Sequence, residues 1–360
     1  MKRAYLDYNA GAPLRPEASA AMAAVETGNP SSVHHEGRTA RALVEAARRQ
    51  VAALISAGDG ARVVFTSGGT EACRMAAESG GRVPACATEH AAVLESDASI
   101  ALLPVRADGL LDLDALDEAL GDAQLVCIQL ANNETGVLQP IAEIAARCRA
   151  RGARLFCDAV QAAGKLPLDF DALGCDMLAL SAHKLGGPMG VGALVMREGA
   201  LPPSGGAQEY GFRAGTENVA GIVGFGAAAE AAHDALADFA RLAEWRNDME
   251  IALCAQRPDC VIFGAGAPRL PNTSCFSASG LDAETLLMAL DLDGFAVSAG
   301  AACTSGKVAA SHVLAAMGVG EDLSRGALRV SLGWDTQADE PARLVESWAR
   351  VACRAPAAAE

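Results

Sequence analysis

Two short apolar runs of this sequence each end in side chains that can do covalent or acid–base chemistry. The run Arg154–Cys157 is followed by Asp158, and the run Met177–Leu180 is followed by Ser181-Ala182-His183-Lys184. Buried strands that end in this way are typical of the sheet edge where α/β proteins bind ligands. An amine beside donors for a phosphate suits a lysine that forms a Schiff base with a phosphorylated aldehyde cofactor, while a carboxylate pairs with a ring nitrogen. We therefore interpret Lys184 and Asp158 as parts of one cofactor site.

Three further clusters follow apolar runs, and each also has an ordinary structural explanation. Phe65 to Glu71 indicates a strand, a glycine turn and a helix start, which suits a phosphate, although a plain turn with a threonine cap has the same pattern. His90 closes the next run and can stack on a flat cofactor or move protons, but a lone histidine is more often a satisfied polar residue. Asn132 and Asn133 can orient a carboxylate or a ring oxygen, or form an Asx turn.

Cys303 differs in its surroundings from most of the other cysteines. It lies in a stretch of small residues between Gly300 and Gly306, which favours an accessible thiol. A cysteine is a strong nucleophile even with a pKa of about 8.5, although a spare thiol in a turn is the alternative. Cysteines within apolar runs, such as Cys86 and Cys127, are predicted to be small core residues.

Composition limits the classes of function. The chain has 360 residues, of which 51% are hydrophobic, and this length favours about two domains of about 100–200 residues. A net charge of −15 argues against nucleic acid or an anionic membrane as a partner, and no apolar run approaches a membrane span. Eleven cysteines, an odd number, indicate reduced thiols and a cytoplasmic location. The amino terminus has no apolar core typical of a signal peptide.

The elements that must position these groups follow an alternating pattern. Seven apolar runs predict strands at Arg62–Phe65, Val83–Ala87, Ile100–Val105, Gln124–Leu130, Arg154–Cys157, Met177–Leu180 and Gly192–Met196. Helical spacing is found at Arg38–Leu54, Asp114–Leu120 and Ile141–Arg151, and an Ala-rich stretch predicts one long helix over Val219–Leu253. Strands alternating with helices predict an α/β fold with a doubly wound, mostly parallel sheet.

The two ends of the chain have a different texture. Residues 1–35 carry turn residues and are predicted to be irregular, without a helix. From about residue 250, Val261–Phe263, Asn272–Ser277, Ala296–Ser298 and Leu328–Leu332 alternate with helices. We therefore predict a large domain over residues 15–250 and a smaller α+β domain formed by residues 1–14 with 251–360.

Together these clusters resemble the pyridoxal-phosphate cysteine desulfurases of the NifS/IscS type, within the class V aminotransferases of fold type I. The matching motifs are Tyr5 to Ala10, Gly28 to His34, Phe65 to Glu71, Glu89-His90, Asn132 to Gly136 with Gln139-Pro140-Ile141, Asp158 to Gln161, Ser181 to Lys184, Gly215 to Asn218 and Ala301 to Ser305. They cover nearly the whole chain in order. The resemblance implies a seven-stranded, mostly parallel sheet with helices on both faces, and a smaller α+β domain carrying the cysteine loop.

The resemblance also implies a role for each matching position around the cofactor. Lys184 would hold pyridoxal phosphate and move the α proton of the substrate, and Asp158 would keep the ring nitrogen protonated. His90 would stack on the ring and act as an acid and base, and Gln161 would contact the ring hydroxyl. The phosphate would be bound by Gly69, Thr70, Ser181 and His183, with Thr216 reaching it from the partner subunit of a homodimer.

The substrate and the sulfur acceptor follow from the same resemblance. Asn9, Asn133 and Arg329 would hold the carboxylate of L-cysteine, and Asn133 would also contact the cofactor. Cys303 would take the sulfur as a persulfide, leave L-alanine, and deliver the sulfur to an iron–sulfur scaffold or another acceptor protein. The short spacing between Cys303 and Ser311 matches the long-loop branch. In this family the same cysteine can also touch an iron–sulfur cluster transiently.

Several positions depart from the family pattern, and other activities remain open. The departures are Cys73 and Arg74 after Gly-Gly-Thr-Glu, Ala207, Trp334, and Ala10-Gly11-Ala12. A selenocysteine lyase would use the same lysine without depending on Cys303, and another lyase or aminotransferase of this fold would form no persulfide. A degenerate scaffold, in which Arg74 and Trp334 spoil the site, would bind no cofactor.

Overall fold

The computed structural model describes residues 3–26, 28–300 and 311–353, together with the backbone of residues 303–304 and 307–308. The strands are β1 (Ala4–Tyr5), β2 (Ala61–Thr66), β3 (Arg82–Cys86), β4 (Ser99–Leu103), β5 (Leu125–Gln129), β6 (Arg154–Asp158), β7 (Met177–Ser181), β8 (Gly192–Arg197), β9 (Val261–Ile262), β10 (Thr273–Ser277), β11 (Phe295–Ala296), β12 (Ser298–Ala299), β13 (Cys303–Thr304), β14 (Lys307–Val308) and β15 (Leu328–Ser331). The helices are α1 (Pro16–Ala23), α2 (His35–Leu54), α3 (Gly69–Ala77), α4 (Ala91–Leu94), α5 (Leu113–Ala119), α6 (Ile141–Ala150), α7 (Phe170–Leu173), α8 (Val219–Asp234), α9 (Leu236–Ala240), α10 (Leu242–Gln256), α11 (Ala283–Leu292), α12 (His312–Ala316), α13 (Glu321–Arg325) and α14 (Glu340–Ala352).

A seven-stranded sheet is the centre of the molecule, and all seven predicted strands belong to it. Its strand order is β2-β8-β7-β6-β5-β3-β4. Strand β8 runs antiparallel to both of its neighbours, and the other pairs are parallel. The prediction of a mostly parallel α/β sheet is confirmed. The middle strands β5 and β7 are buried at every position, as expected for a sheet that helices cover on both faces.

Alternate side chains of the sheet enter two separate hydrophobic cores. Val63 and Cys157 pack in one core with Val51 of α2, whereas Val64 and Phe156 pack in the other core with α3. The period of two along a strand produces this division, because neighbouring side chains point to opposite faces. The sheet edge where β6 and β7 end is therefore fixed from both sides.

A smaller sheet with the order β12-β15-β10-β9 lies in the carboxy-terminal part, and its strand pairs are antiparallel. It packs with α10, α11 and α14 around the buried Trp348. The amino-terminal strand β1 pairs in parallel with β11, and Ala4 and Leu6 enter the same core. Segments from both ends of the chain thus share one core, while the boundary near residue 250 stays a prediction.

The prediction of one long helix over residues 219–253 is wrong, because three helices occupy this stretch. They are α8, α9 and α10, with breaks at Ala235 and Arg241. Phe225 of α8 packs in the core of the central sheet, whereas Met249 of α10 packs in the core around Trp348. The chain therefore passes from one core to the other over the stretch that contains the two breaks. No helix of the described residues is long and apolar enough to cross a membrane.

The prediction that residues 1–35 lack a helix is also wrong, since α1 lies within this range. Pro16 occupies the first turn of α1, where its missing N–H costs no hydrogen bond and its fixed φ favours the helix. Ala18 is buried, and α1 lies against α8. The turn residues before Pro16 favoured an irregular segment in the prediction, whereas tertiary packing stabilises a helix here.

Candidate active site

A cavity of about 490 Å³ lies at the ends of the central strands. Eleven of the predicted site residues line it: Asn9, Gly69, Thr70, His90, Asn133, Asp158, Gln161, Ser181, His183, Lys184 and Arg329. Val297, Ser298 and Ala299 contribute from the carboxy-terminal part. The structure thus brings together groups that lie up to 320 positions apart in the sequence. Their individual roles stay predictions.

Strand topology explains why these groups meet. Asp158 is the last residue of β6, and Ser181 is the last residue of β7. The two strands are parallel neighbours, so their carboxyl ends lie side by side. A single turn of 3-10 helix, Ala182–Lys184, then carries Lys184 into the cavity, and Gly69 begins α3 directly after the turn that follows β2.

Lys184 is held at the cavity by backbone acceptors of the amino-terminal segment. Its Nζ donates to the carbonyl oxygens of Asn9 at 2.6 Å and Ala10 at 3.0 Å. Burial, followed by the positive charge of Arg329, lowers the pKa of Lys184 to about 8, against the opposing effect of Asp7 and Asp158. A larger share of the amine is therefore neutral near physiological pH, which a lysine nucleophile needs.

Asp158 lies at the bottom of the site with its carboxylate fixed on one side. Its Oδ1 accepts from the backbone N–H of Val160 at 2.9 Å, and its Oδ2 accepts from the Cys73 thiol at 3.6 Å. Burial raises the pKa of Asp158, and the hydrogen bond from Val160, His90 and Cys73 oppose that rise. Among the described residues no lysine or arginine forms an ion pair with this carboxyl group, so a protonated ring nitrogen is a ligand group that it suits.

His90 is positioned as the cap of a short helix at the edge of the cavity. Its Nδ1 accepts from the backbone N–H of Ala92 at 3.0 Å, which leaves Nε2 to carry the proton of the neutral ring. Incomplete hydration in the cavity lowers the pKa of His90, against the effect of Asp158. A neutral imidazole at this place is suited to stack on a flat ring and to exchange a proton.

The phosphate-sized end of the cavity combines a close backbone approach with a donor that has no partner. A Cβ at Gly69 would come within 2.9 Å of the Val160 side chain, so only glycine fits the beginning of α3. The buried Nδ1 of His183 has no hydrogen-bond partner within the described residues. Burial and Lys184 lower the pKa of His183 to about 4, so that the ring is neutral and can donate one N–H. Helix N-termini and such donors bind phosphate groups.

At the opposite end of the cavity, Arg329 forms an ion pair with Asp7, a carboxylate that the sequence did not single out. Its Nη2 donates to Asp7 Oδ1 at 2.7 Å, and its Nη1 donates to the carbonyl oxygen of Asn133 at 3.1 Å. Ser298 donates to the other oxygen of Asp7 at 2.8 Å. The buried Nε of Arg329 has no partner among the described residues, which leaves a donor for a further acceptor such as a substrate carboxylate.

Lys165 and Glu89 are buried groups that sequence reasoning missed. Lys165 Nζ donates to Asn9 and Gln161, each at 2.7 Å. Glu89 Oε1 accepts from the backbone N–H of Gln129 at 2.6 Å, and burial with Asp158 raises the pKa of Glu89 well above its usual range. The only local signal for Lys165 is that it follows Gln161 closely in the segment after a buried strand.

Of the two remaining predicted residues, the structure describes the side chain of Thr216 only. Thr216 is exposed in the loop before α8 and does not line the cavity of its own chain. The side chain of Cys303 lies outside the described part of the structure, and so does the predicted metal contact through it. The described residues that follow contact segments that come after strands of the large sheet. Ser311 donates to Glu134, after β5, at 2.5 Å, and His312 Nε2 lies 2.9 Å from the carbonyl oxygen of Glu89, after β3.

Most of the departures from the family pattern lie away from the cavity. Arg74 is exposed and lies near the carbonyl oxygen of Glu95, and Trp334 packs against the Arg15 guanidinium at 5.2 Å. Ala207 lines a separate cleft. Cys73 and Ala10 do line the cavity, and neither removes a group assigned to the cofactor. Arg74 and Trp334, which would spoil the site of a degenerate scaffold, therefore do not obstruct the cavity.

The described residues fit pyridoxal phosphate on chemical grounds. The cavity offers an amine, a buried carboxylate and an unpartnered imidazole nitrogen beside a helix start. These groups match an aldehyde carbon, a ring nitrogen and a phosphate, respectively. Burial raises the pKa of cysteines such as Cys127 and Cys275, as expected for core thiols.

Comparisons with known proteins agree with this chemistry. Residues 4–344 match the family model described as aminotransferase class-V. A cysteine desulfurase of Cereibacter sphaeroides is 43% identical, with 96% of this chain and 95% of that protein aligned. A cysteine desulfurase IscS of Dictyoglomus turgidum is 40% identical, with 94% and 92% aligned. The structure of a NifS-like protein from Rickettsia africae superposes with a TM-score of 0.90 at 32% identity, covering 98% of this chain and 99% of that one.

Proposed function

Because this chain belongs to the class V aminotransferase family, and within it to the cysteine desulfurases, we propose that it removes sulfur from L-cysteine at the cavity built around Lys184 and Asp158. The observation that carries this proposal is the pairing of a lysine whose pKa is about 8 with a buried carboxylate at neighbouring strand ends. Bound pyridoxal phosphate would draw electrons from the α carbon of the substrate. The products are L-alanine and a persulfide on Cys303.

Lys184 supplies both the covalent anchor for the cofactor and a base for the α proton. Its amine already lies between two carbonyl acceptors, so its approach direction is set before a ligand arrives. The lowered pKa keeps a neutral amine available to take a proton from carbon and return it. Asp158 stabilises a proton on the ring nitrogen, since its buried carboxylate otherwise lacks a cation.

Arg329 and its neighbours bind and orient the amino acid. The guanidinium is held from two sides by Asp7 and by the carbonyl oxygen of Asn133, which fixes its plane. Its Nε, which has no partner among the described residues, would then donate to the substrate carboxylate, with Asn9 and Asn133 also lining the cavity. This arrangement selects an α-amino acid and leaves its side chain free for the attacking thiol.

The sulfur transfer is balanced between two thiols. L-Cysteine and the Cys303 thiol give L-alanine and a Cys303 persulfide: the carbon–sulfur bond of the substrate breaks, and a sulfur–sulfur bond forms. The proton that replaces sulfur on the β carbon comes from the acid groups of the site, with His90 as the candidate donor. A protein acceptor, for which an iron–sulfur scaffold is the proposed case, or a reducing thiol then takes the terminal sulfur.

The assembly and location belong to the same proposal. The exposed position of Thr216, outside the cavity of its own chain, supports a homodimer in which it reaches the phosphate of the partner subunit. Free cysteines and a charge of −15 support a reducing, cytoplasmic setting without a nucleic-acid partner. A transient iron–sulfur contact through Cys303 is proposed on the scaffold only.

The test combines a cofactor measurement with a product measurement. The purified protein is loaded with pyridoxal phosphate, reduced with borohydride and digested, and the modified lysine is identified by mass spectrometry. The chain has only four lysines, so the assignment to Lys184 is unambiguous. L-Cysteine and a reducing thiol are then added to unreduced enzyme, and sulfide and alanine are quantified.

We expect the cofactor on Lys184 and equal amounts of sulfide and alanine. Cys303→Ala should abolish sulfide release from cysteine, whereas the matched control Cys353→Ala, which changes an exposed cysteine outside the site, should retain it. A loaded enzyme that forms neither product would contradict the proposed reaction. Sulfide release that persists in Cys303→Ala, with selenocysteine as the better substrate, would indicate a selenocysteine lyase instead.

A further inference from the structure

Lys165 is a buried lysine beside the cavity that the proposed chemistry does not use. Its side chain is only 3% exposed, and no carboxylate of the described residues forms an ion pair with it. Burial and the positive charges of Lys184 and Arg329 lower the pKa of Lys165 well below its usual range. Such a group is costly to keep in a protein interior, so its hydrogen bonds need an explanation.

Both hydrogen bonds of Lys165 are made to side-chain amide oxygens. Its Nζ donates to Asn9 Oδ1 at 2.7 Å and to Gln161 Oε1 at 2.7 Å. The turns after β6 bring the side chains of Gln161 and Lys165 together, four residues apart in the sequence. Even a neutral amine carries two N–H groups, so Lys165 satisfies both oxygens in either charge state.

These bonds decide which way the two amides point. A charged Lys165 amine can only donate, and the backbone carbonyl oxygens of Asn9 and Asn133 can only accept. The amide oxygens of Asn9 and Gln161 therefore face Lys165, and their NH2 groups face the other way. The Asn9 NH2 then donates to Thr273 at 2.9 Å and to the carbonyl oxygen of Asn133 at 3.2 Å. The Gln161 NH2 donates to the carbonyl oxygen of Asn9 at 2.9 Å, on the side of the cavity.

The same Asn9 carbonyl oxygen also receives the amine of Lys184 at 2.6 Å. Through Asn9, Lys165 therefore holds the carbonyl group that orients the Lys184 amine. Through Gln161, it holds the NH2 donor at the cavity. An unfixed Gln161 amide has two orientations, and the wrong one would turn its oxygen toward the carbonyl oxygen of Asn9. That contact would be repulsive.

We propose that Lys165 is a positioning residue, which holds Asn9 and Gln161 by their amide oxygens so that Gln161 presents a donor to the cofactor and the Asn9 carbonyl group aligns Lys184. This inference rests on the proposed function, because it concerns the same cofactor site. It assigns no contact between Lys165 and the cofactor or the substrate. Lys165 acts only through its two neighbours.

The test uses the cofactor-loaded enzyme and does not depend on cysteine turnover. Lys165→Met keeps the length of the side chain and removes both donors. The measurements are the dissociation constant for pyridoxal phosphate and the visible absorption and circular dichroism of the lysine-bound cofactor, which report the setting of the ring. The matched control is Arg246→Met, which removes a buried cation that does not line the cavity.

We expect Lys165→Met to raise the dissociation constant about tenfold or more, since two buried acceptors lose their donor. Its visible circular dichroism should change, whereas Arg246→Met should leave the spectrum of the wild type. Lys165→Gln, which keeps an NH2 donor on a shorter stem, should fall between wild type and Lys165→Met. It also supplies the measurement if the Met variant does not fold.

A double variant distinguishes positioning from general stability. If Lys165 acts through Gln161, Lys165→Met combined with Gln161→Met should weaken cofactor binding less than the product of the two single effects. Unchanged affinity and circular dichroism in both Lys165 variants, or fully independent effects in the double variant, would overturn the inference alone. A wild-type protein that places no cofactor on Lys184 would overturn the proposed function together with it.

Discussion

Burial acts in opposite directions on the two ionisable groups at the centre of the cavity. It lowers the pKa of Lys184 to about 8 and raises the pKa of Asp158, because each group loses hydration of its charged form. Each residue is therefore closer to neutral than it would be in water. The amine gains nucleophilicity from this, and the carboxyl group gains affinity for a cation, so one physical cause prepares both roles.

The rate of cofactor attachment should reveal the lowered pKa of Lys184. With a pKa of about 8, the attachment rate of cofactor-free enzyme should rise with pH and level off above pH 8, since only the neutral amine attacks. Arg329→Met removes the positive charge that lowers the pKa of Lys184, and it also leaves Asp7 without its ion-pair partner Arg329. Both effects should move the midpoint of the rate–pH curve to a higher pH. Stopped-flow absorbance over pH 6 to pH 10 measures this, and a midpoint that stays unchanged in Arg329→Met would contradict the electrostatic assignment.

Glu134 should make stability depend on pH. Burial raises its pKa to about 7 from a usual value of 4.5, while its hydrogen bond with Ser311 opposes the rise. The unfolded chain then loses this proton before the folded one, so stability should fall as pH rises from 4.5 to 7. The difference corresponds to about 3 kcal/mol, which Glu134→Gln should remove.

Urea unfolding at several pH values checks that prediction. Glu134→Gln should equal the wild type near pH 4.5 and exceed its stability above pH 7. The control Glu118→Gln changes an exposed carboxyl group on α5 and should follow the wild-type curve. A wild-type advantage over Glu134→Gln that grows with pH would show that the carboxylate form is the stabilising one, contrary to our assignment.

At the scale of elements, the start of α3 depends on how closely β8 approaches the end of β2. Gly192 begins β8 and pairs with Thr66 at the end of β2. A Cβ at Gly192 would come within 2.5 Å of the backbone of Gly68 and within 2.8 Å of the Leu180 carbonyl oxygen. The glycine of an antiparallel strand thus leaves room for the turn that leads into the predicted phosphate site.

Gly192→Ala should therefore weaken cofactor binding although it touches no ligand. The methyl group must displace the backbone of Gly68 or Leu180, because these neighbours are backbone atoms that cannot rotate away. We expect the dissociation constant for pyridoxal phosphate to rise about tenfold and unfolding to become easier by about 1–3 kcal/mol. Gly60→Ala is the matched control, since nothing lies within 4 Å of its Cβ. Equal affinities in the two variants would refute the packing argument.

At the scale of the whole molecule, the cavity lies between two cores. The central sheet supplies Asp158 and Lys184, while the carboxy-terminal part supplies Ser298 and Arg329. Asn9 of the amino-terminal segment bonds to both parts, through Lys165 and Thr273. The site therefore draws on both ends of the chain, and we propose that Thr216 of a second copy completes it.

A mixed dimer tests that assembly. Lys184→Ala and Thr216→Val should each give a weakly active or inactive homodimer. A co-expressed hybrid contains one site with both groups intact, because Thr216 would come from the other subunit. We expect the hybrid to show about half of the wild-type specific activity. If Thr216 acted within its own chain, no intact site would exist and the activity would not return.

The sequence by itself determined the strands, the order of the central motifs and the chemical types at the strand ends, because side-chain periodicity and turn residues are local properties. It predicted Lys184, Asp158 and His90 together for the same reason, since parallel strands end at one edge. Residues 219–253 gave one long apolar pattern, and only tertiary packing decided that it breaks into three helices serving two cores.

Only the tertiary structure revealed the partners of these groups. Asp7 lies 322 positions from Arg329, and Asn9 lies 156 positions from Lys165, so no local pattern records either contact. The pKa of Lys184 depends on burial and on Arg329, which are set by how the two ends of the chain fold over the sheet. The local sequence thus determines the types of the reactive groups, whereas long-range packing determines their charge states and orientations.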